Sequence, residues 1–150
     1  MKPNAIVFDI DGVILDTRFI HKEIIEQKLK DEDKWNYFYE QCNSDRVTLI
    51  KGIKEFYQSI RDYSNAVIIL CTARNEKCAD ATYNKLIKEG IDDFEGIYMR
   101  AYNDKREDVE VKEDLINDIK SKYNIIAFID DSLRNCEVAK KLGLLALRVV

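Results

Sequence analysis

Three short apolar runs, Ala5–Phe8, Ala66–Cys71 and Ile125–Ile129, each give way abruptly to polar residues, and this arrangement constrains the fold more than any other feature. Runs this short, without alternation and bounded by turn signals, read as strands buried on both faces, as in a parallel sheet covered on each side. The first run ends in Asp9-Ile10-Asp11-Gly12, the second in Thr72-Ala73-Arg74 and the third in Asp130-Asp131. Between them, Val47, Ile50, Ile53, Tyr57 and Ile60 recur at helical spacing, as do Val111, Leu115, Ile119 and Tyr123. Further helices are expected at Glu76–Glu89 and Leu133–Leu142, stopped by Gly90 and Gly143. Ile97–Met99 and Leu144–Val150 supply two more strands, the last stopping inside an expected strand, which is compatible with a natural chain that runs slightly further. Strands alternating with helices imply a mostly parallel α/β sheet, in which ligands gather beyond the carboxyl ends of the strands. The three polar clusters fall at those ends.

The 150 residues suit one domain, and the segment from Thr17 to about Asp45 reads as an insert beside the site, because some thirty residues bury little core alone. It carries an expected helix at His21–Lys30, the charged run Lys30–Lys34 and the aromatic residues Trp35, Tyr37, Phe38 and Tyr39. A net charge of −4 argues against wholesale wrapping of nucleic acid, although a local basic patch can still hold a phosphate backbone. Cys42, Cys71, Cys78 and Cys136 form no Cys-x-x-Cys pair, and His21 is the only histidine, so reduced thiols rather than a zinc cluster are expected. The apolar run near the N-terminus is too short for a signal segment or a membrane span, and a cytoplasmic protein without membrane association or an obligate protein partner is expected.

Phosphoryl transfer needs a nucleophile, a proton donor for the leaving oxygen and positive charge around the transferred group. Asp9 can serve as a carboxylate nucleophile that forms an acyl-phosphate. Asp11 lies two residues on, where it can give a proton to the leaving group and then take one from water. Carboxylates this close repel a phosphate, so a cation is required, and Asp9 with Asp130 or Asp131 offers the hard oxygen ligands that Mg²⁺ takes. Thr72 offers a hydroxyl to phosphate, and Lys112, four residues after Asp108 on one helical face, brings positive charge that Asp108 steadies. Alone, each feature has a plainer explanation: Asp-x-Asp-Gly as a turn, Thr72 or Asp130-Asp131 as a helix cap, Lys112 as a solvated side chain. Val13, Leu15 and Thr17 do not continue a calcium loop. The joint placement of these residues at strand ends is what favours chemistry.

Taken in order, Asp9-Ile10-Asp11-Gly12-Val13, Cys71-Thr72-Ala73-Arg74, Lys112 and Ile129-Asp130-Asp131 resemble the four motifs of the haloacid dehalogenase (HAD) superfamily of phosphatases. The resemblance spans nearly the whole chain. It implies a Rossmann-like sheet of five parallel strands in the order 5-4-1-2-3, Mg²⁺ dependence and an aspartyl-phosphate on Asp9. It further implies that Asp11 is the acid/base and a metal ligand through its carbonyl, that Thr72 and Lys112 hold phosphate, and that Asp130 and Asp131 serve the metal. The segment Met99–Asp108, followed by Lys112, is similar to the phosphatase half of bacteriophage-type polynucleotide kinase, which also uses an arginine at the position of Arg74. That similarity implies removal of 3′-phosphate from nucleic-acid ends, with Arg74, Arg100, Arg106 and Asp108 at the substrate. No Gly-x-x-x-x-Gly-Lys-Ser/Thr loop is present, so no kinase half is expected.

The insert is too small for a full cap, and an open site can admit a polymer end. Arg18, His21, Lys22, Arg74, Arg100, Lys105 and Arg106 are candidates to line its mouth, and Trp35 or Tyr37 to stack on a terminal base, unless they pack the insert on the core. The alternatives are a nucleotidase or other small-phosphomonoester phosphatase with the insert as a lid, and, from another class, a non-catalytic binding module of the same fold.

Overall fold

The computed structural model describes all 150 residues. Five parallel strands form the central sheet: β1 (Asn4–Phe8), β4 (Val67–Asn75), β5 (Gly96–Arg100), β6 (Asn124–Asp130) and β7 (Ala146–Arg148). Two short strands, β2 (Leu15–Asp16) and β3 (Thr48–Leu49), pair separately and antiparallel. The helices are α1 (Arg18–Glu26), α2 (Asp31–Gln41), α3 (Ile53–Tyr63), α4 (Ala79–Lys88, after a 3₁₀ turn at Glu76–Cys78), α5 (Asp108–Lys122) and α6 (Leu133–Lys141). None is long and apolar enough to cross a membrane.

Counting all strands along the chain, the sheet runs β5-β4-β1-β6-β7 rather than the expected 5-4-1-2-3. The difference arises from the β2–β3 pair, which the apolar runs do not announce because each strand has only two residues. With that pair left out, the five parallel strands read 3-2-1-4-5, the expected series taken from the opposite edge. The pair has a clear purpose: the chain leaves for α1 and α2 through β2 and returns through β3, so the insert stands on a two-strand stalk.

Side chains alternate across the sheet as the period of two requires. Phe8, Ile68, Leu70 and Ile129 join one core with Ile20, Ile24, Phe38 and Cys42 of the insert, Ile53 and Tyr57 of α3, and Leu86 of α4. Ala5, Val7, Ile69 and Cys71 join the other, beneath Ile116 and Ile119 of α5 and Ala139 of α6. The insert therefore packs into a core that it shares with the sheet.

One helix starts later than expected. Val47 and Ile50 fit helical spacing, yet they bury from an extended segment around β3, and Gly52 (φ 84°) turns the chain before α3 begins at Ile53. The left-handed backbone there suits glycine, which has no Cβ to clash.

Candidate active site

Asp9 lies one residue past β1, and its amide still donates to the Ile129 carbonyl (2.8 Å), so the sheet itself fixes where its carboxylate stands. Gly12 (φ 77°) then turns the backbone, and a Cβ at Gly12 would collide with the Asp131 carboxylate. Lack of a side chain at Gly12 is what lets Asp131 reach in beside Asp9. Oxygens of Asp9, Asp130 and Asp131 lie within 4.8 Å of one another, a geometry that can hold one metal ion. Three carboxylates at this spacing suit a hard divalent cation such as Mg²⁺.

Asp130 ends β6, and its two oxygens are shared among several donors. Oδ1 accepts from the Ser132 amide (2.9 Å), and Oδ2 from Lys112 Nζ (2.9 Å) and Asn135 Nδ2 (3.2 Å). Lys112 reaches inward from α5, whose start is secured by a reciprocal capping box between Glu107 and Glu110. Its ammonium donates to Asp9 Oδ1 (2.9 Å), Asp130 Oδ2 (2.9 Å) and the Cys71 carbonyl (2.7 Å), so all three protons are used. The expected pairing of Lys112 with Asp108 does not occur. Asp108 faces Arg100 instead (2.7 Å), because Lys112 points into the site while Asp108 remains half-exposed at the helix start.

The electrostatics follow from this packing. Burial pushes the Asp9 carboxyl well above the usual carboxylate range; Lys112 opposes that rise, and the charges of Asp130 and Asp11 add to it. Asp131 is raised for the same two reasons, burial first and Asp130 second. Burial would lower the Lys112 pKa, but Asp9 and Asp130 outweigh it and hold the ammonium well above its ordinary value. The centre is thus one fixed cation among clustered carboxylates.

The Asp11 carboxylate has a different partner. Arg74, whose side chain is 1% exposed, grips it bidentately, with Nε to Oδ2 (2.9 Å) and Nη2 to Oδ1 (2.8 Å). The remaining Arg74 donors go to Asn43 Oδ1 (2.7 Å), Thr82 Oγ1 (3.0 Å) and the Cys42 carbonyl (3.1 Å). All five guanidinium N–H groups are therefore spent inside the protein. Burial would lower the Arg74 pKa, and the Asp11 carboxylate more than reverses this. Thr72 is buried within β4, which runs on to Asn75 instead of ending there, and its hydroxyl accepts from the Arg74 amide (3.1 Å).

Arg100 holds the loop after β5. It donates to the carbonyls of Ala73 (2.9 Å), Asp104 (3.1 Å) and Arg106 (2.6 Å) as well as to Asp108. Arg106 is half-exposed and pairs with Asp104 and Asp114 (2.7 Å each). Arg18 pairs with Asp16 at the surface, Tyr37 donates to Glu23 within the insert, and Trp35 lies 42% exposed beneath Lys34. His21, with Lys28, Lys30 and Lys34, lines a cleft of about 780 Å³ on the insert, and none of the aspartates of the centre borders it. All four cysteines are free.

The sequence did not point to Asn43, Thr82 and Asn135, the three neutral side chains that hold Arg74 and Asp130. Asn135 had a signal, one helical turn beyond Asp130-Asp131 in the following helix. Asn43 and Thr82 had none, since each meets Arg74 only through the tertiary fold.

A profile of the HAD superfamily, subfamily IIIB (acid phosphatase), matches residues 1–141. The chain belongs to this family. Its fold is similar to that of a chain in the structure of the Pnkp1/Rnl/Hen1 RNA repair complex (TM-score 0.76, 22% identity, covering 99% of this chain and 42% of that one). It is also similar to the class C acid phosphatase from Bacillus anthracis with tungstate bound (0.71, 17%, 99% and 67%) and to a haloacid dehalogenase-like hydrolase from Streptococcus pneumoniae (0.65, 15%, 99% and 85%). The chain spans less than half the length of the RNA repair chains it resembles. No curated protein matches it.

Proposed function

We propose that the protein is a Mg²⁺-dependent phosphomonoesterase that works through an aspartyl-phosphate on Asp9 and removes 3′-phosphate from nucleic-acid ends or nucleotides. The observation that carries this reading is the division of labour between the two aspartates. Asp9 is gathered with Asp130, Asp131 and Lys112, whereas the Asp11 carboxylate is paired with Arg74. One carboxylate is thereby set up for attack and the other for proton transfer.

In the first step an Asp9 carboxylate oxygen attacks phosphorus, the bond from phosphorus to the ester oxygen breaks, and Asp11 in its protonated form gives that oxygen its proton. In the second, water loses a proton to the Asp11 carboxylate and attacks phosphorus, the bond to Asp9 breaks, and inorganic phosphate leaves. Asp9, Asp130 and Asp131, with the Asp11 carbonyl, would hold Mg²⁺, which when bound neutralises charge on the phosphate and the attacking carboxylate. Lys112 keeps Asp9 in place and favours its ionised form, and Thr72, the one hydroxyl residue of β4, would offer its hydroxyl to phosphate.

The preference for a nucleic-acid end is supported by the similarity to a chain of an RNA repair complex and by an insert of only two helices. Arg74, Arg100, Arg106 and Asp108 would act at the substrate mainly by shaping the rim. Arg74 and Arg100 are committed to the protein, and Arg106 is the most exposed of the three arginines. A second reading, a phosphatase of mononucleotides or other small esters with the insert as a lid, is favoured by the acid phosphatase profile. Incubation with 3′-phosphorylated oligonucleotides, 3′-mononucleotides and 5′-mononucleotides in Mg²⁺ separates the two. Release of phosphate from the oligonucleotides supports the first; release from mononucleotides alone refutes it in favour of the second. No turnover of any substrate, with Asp9→Asn changing nothing, refutes both.

A further inference from the structure

The insert does more than stand beside the site: its last residues hold the guanidinium that holds Asp11. Arg74 is buried, and its Nη1 is shared between Asn43 Oδ1 (2.7 Å), at the end of the insert, and Thr82 Oγ1 (3.0 Å), on α4. Nη2 is shared between Asp11 Oδ1 (2.8 Å) and the Cys42 carbonyl (3.1 Å), again from the end of the insert. A guanidinium is planar and rigid, so acceptors fixed at one edge orient the pair of donors at the other. Two of the three acceptors that set the plane of Arg74 against Asp11 come from the insert.

We propose that Asn43 is a positioning residue for the proton step: through Arg74 it sets where the Asp11 carboxyl stands, which makes that step dependent on the seating of the insert. The inference rests on the reading of Asp11 as the acid/base. Asn43 makes no hydrogen bond to Asp9, Asp130, Asp131 or Lys112, so its loss leaves the attacking carboxylate and the cluster of three carboxylates in place. Its effect falls on the step in which the leaving oxygen is protonated.

That separation gives the test. A nucleoside phosphate has an alkoxide leaving group that must be protonated as the ester bond breaks, whereas nitrophenyl phosphate releases a weakly basic phenolate that needs little help. In Asn43→Ala, kcat/KM for the alkyl ester is expected to fall about tenfold, a part of the roughly 10²- to 10⁴-fold that a positioned acid supplies, while that for nitrophenyl phosphate changes by less than about twofold. Asn43→Asp keeps an acceptor oxygen for Nη1 and is expected to restore alkyl-ester turnover. Thr82→Val removes the neighbouring acceptor from outside the insert and is expected to reproduce the selective loss, which keeps the test available should Asn43→Ala not fold. An equal loss on both esters, or no loss on either, overturns the proposal. Asp11→Asn is the control: selective loss on the alkyl ester upholds the acid/base reading, and equal loss on both esters refutes that reading together with the inference built on it.

Discussion

Replacing Lys112 with methionine probes the centre most severely, because it removes the one cation among the clustered carboxylates while nearly conserving length and volume. Nζ is buried with three acceptors, two of them charged, and lies 5.6 Å from the Phe128 ring centroid. Removing one partner of a buried pair costs about 3–5 kcal/mol, since the other charge is left without compensation. At this chain length, where about 1 kcal/mol moves Tm by about 2–4 °C, the expected loss is roughly 6–20 °C in chelator at neutral pH. The pH dependence has a definite sign. The Lys112 pKa is raised by folding, so its contribution is fully present below its unfolded value of about 10.5 and is lost only as pH rises through the folded one. In the variant the Asp9 pKa, already raised by burial, rises further. A carboxyl raised by folding destabilises above its unfolded pKa of about 3.9 and recovers as pH falls through the folded value, so the deficit narrows toward pH 4. Thermal unfolding followed by circular dichroism at pH 7.5 and pH 5 measures both. A deficit below about 1 kcal/mol at neutral pH, or one that widens on acidification, would refute the assignment of Lys112 as the charge that holds the centre together.

Gly12→Ala is expected to displace the Asp131 carboxylate, because the new Cβ collides with it and φ is in the left-handed region. The Mg²⁺ concentration needed for half-maximal activity should rise by about 10- to 100-fold, the range seen when residues supporting metal ligands are lost. The Asp104 carboxyl is held down to about 2 by the Arg106 guanidinium. Its contribution to the loop after β5 is therefore present above about pH 4 and lost as pH falls toward 2. NMR titration of the side-chain carboxyl should show Asp104 rising part of the way toward the ordinary carboxylate range in Arg106→Gln, because the amide of residue 106 still donates to it, and an unchanged titration would contradict the pairing.

The parts of this protein written locally were legible in its sequence, and the parts assembled across the fold were not. Ala5–Phe8, Ala66–Cys71 and Ile125–Ile129 announce β1, β4 and β6 because a strand buried on both faces must be apolar throughout. The aspartates could be placed at strand ends for the same reason. Lys112 stood out for its position in a helix, but its partner did not: helical spacing suggested Asp108, and the inward turn of the side chain gives it to Asp9 and Asp130. Arg74 was visible as a cation at the mouth of the site, yet only the fold shows its donors consumed by Asp11, Asn43, Thr82 and the Cys42 carbonyl. The β2–β3 pair escaped because two residues carry no periodicity. The aromatic residues of the insert divided on packing that no single-residue property predicts: Phe38 joins the core, and Trp35 stays at the surface.

The proposed covalent role of Asp9 is tested most directly by acid quenching during turnover of a substrate labelled with ³²P in its phosphate, followed by digestion and mapping of the label. Label is expected on the peptide that contains Asp9, dependent on Mg²⁺ and absent in Asp9→Asn together with turnover. Steady release of phosphate with no label on that peptide, persisting in Asp9→Asn, would contradict it.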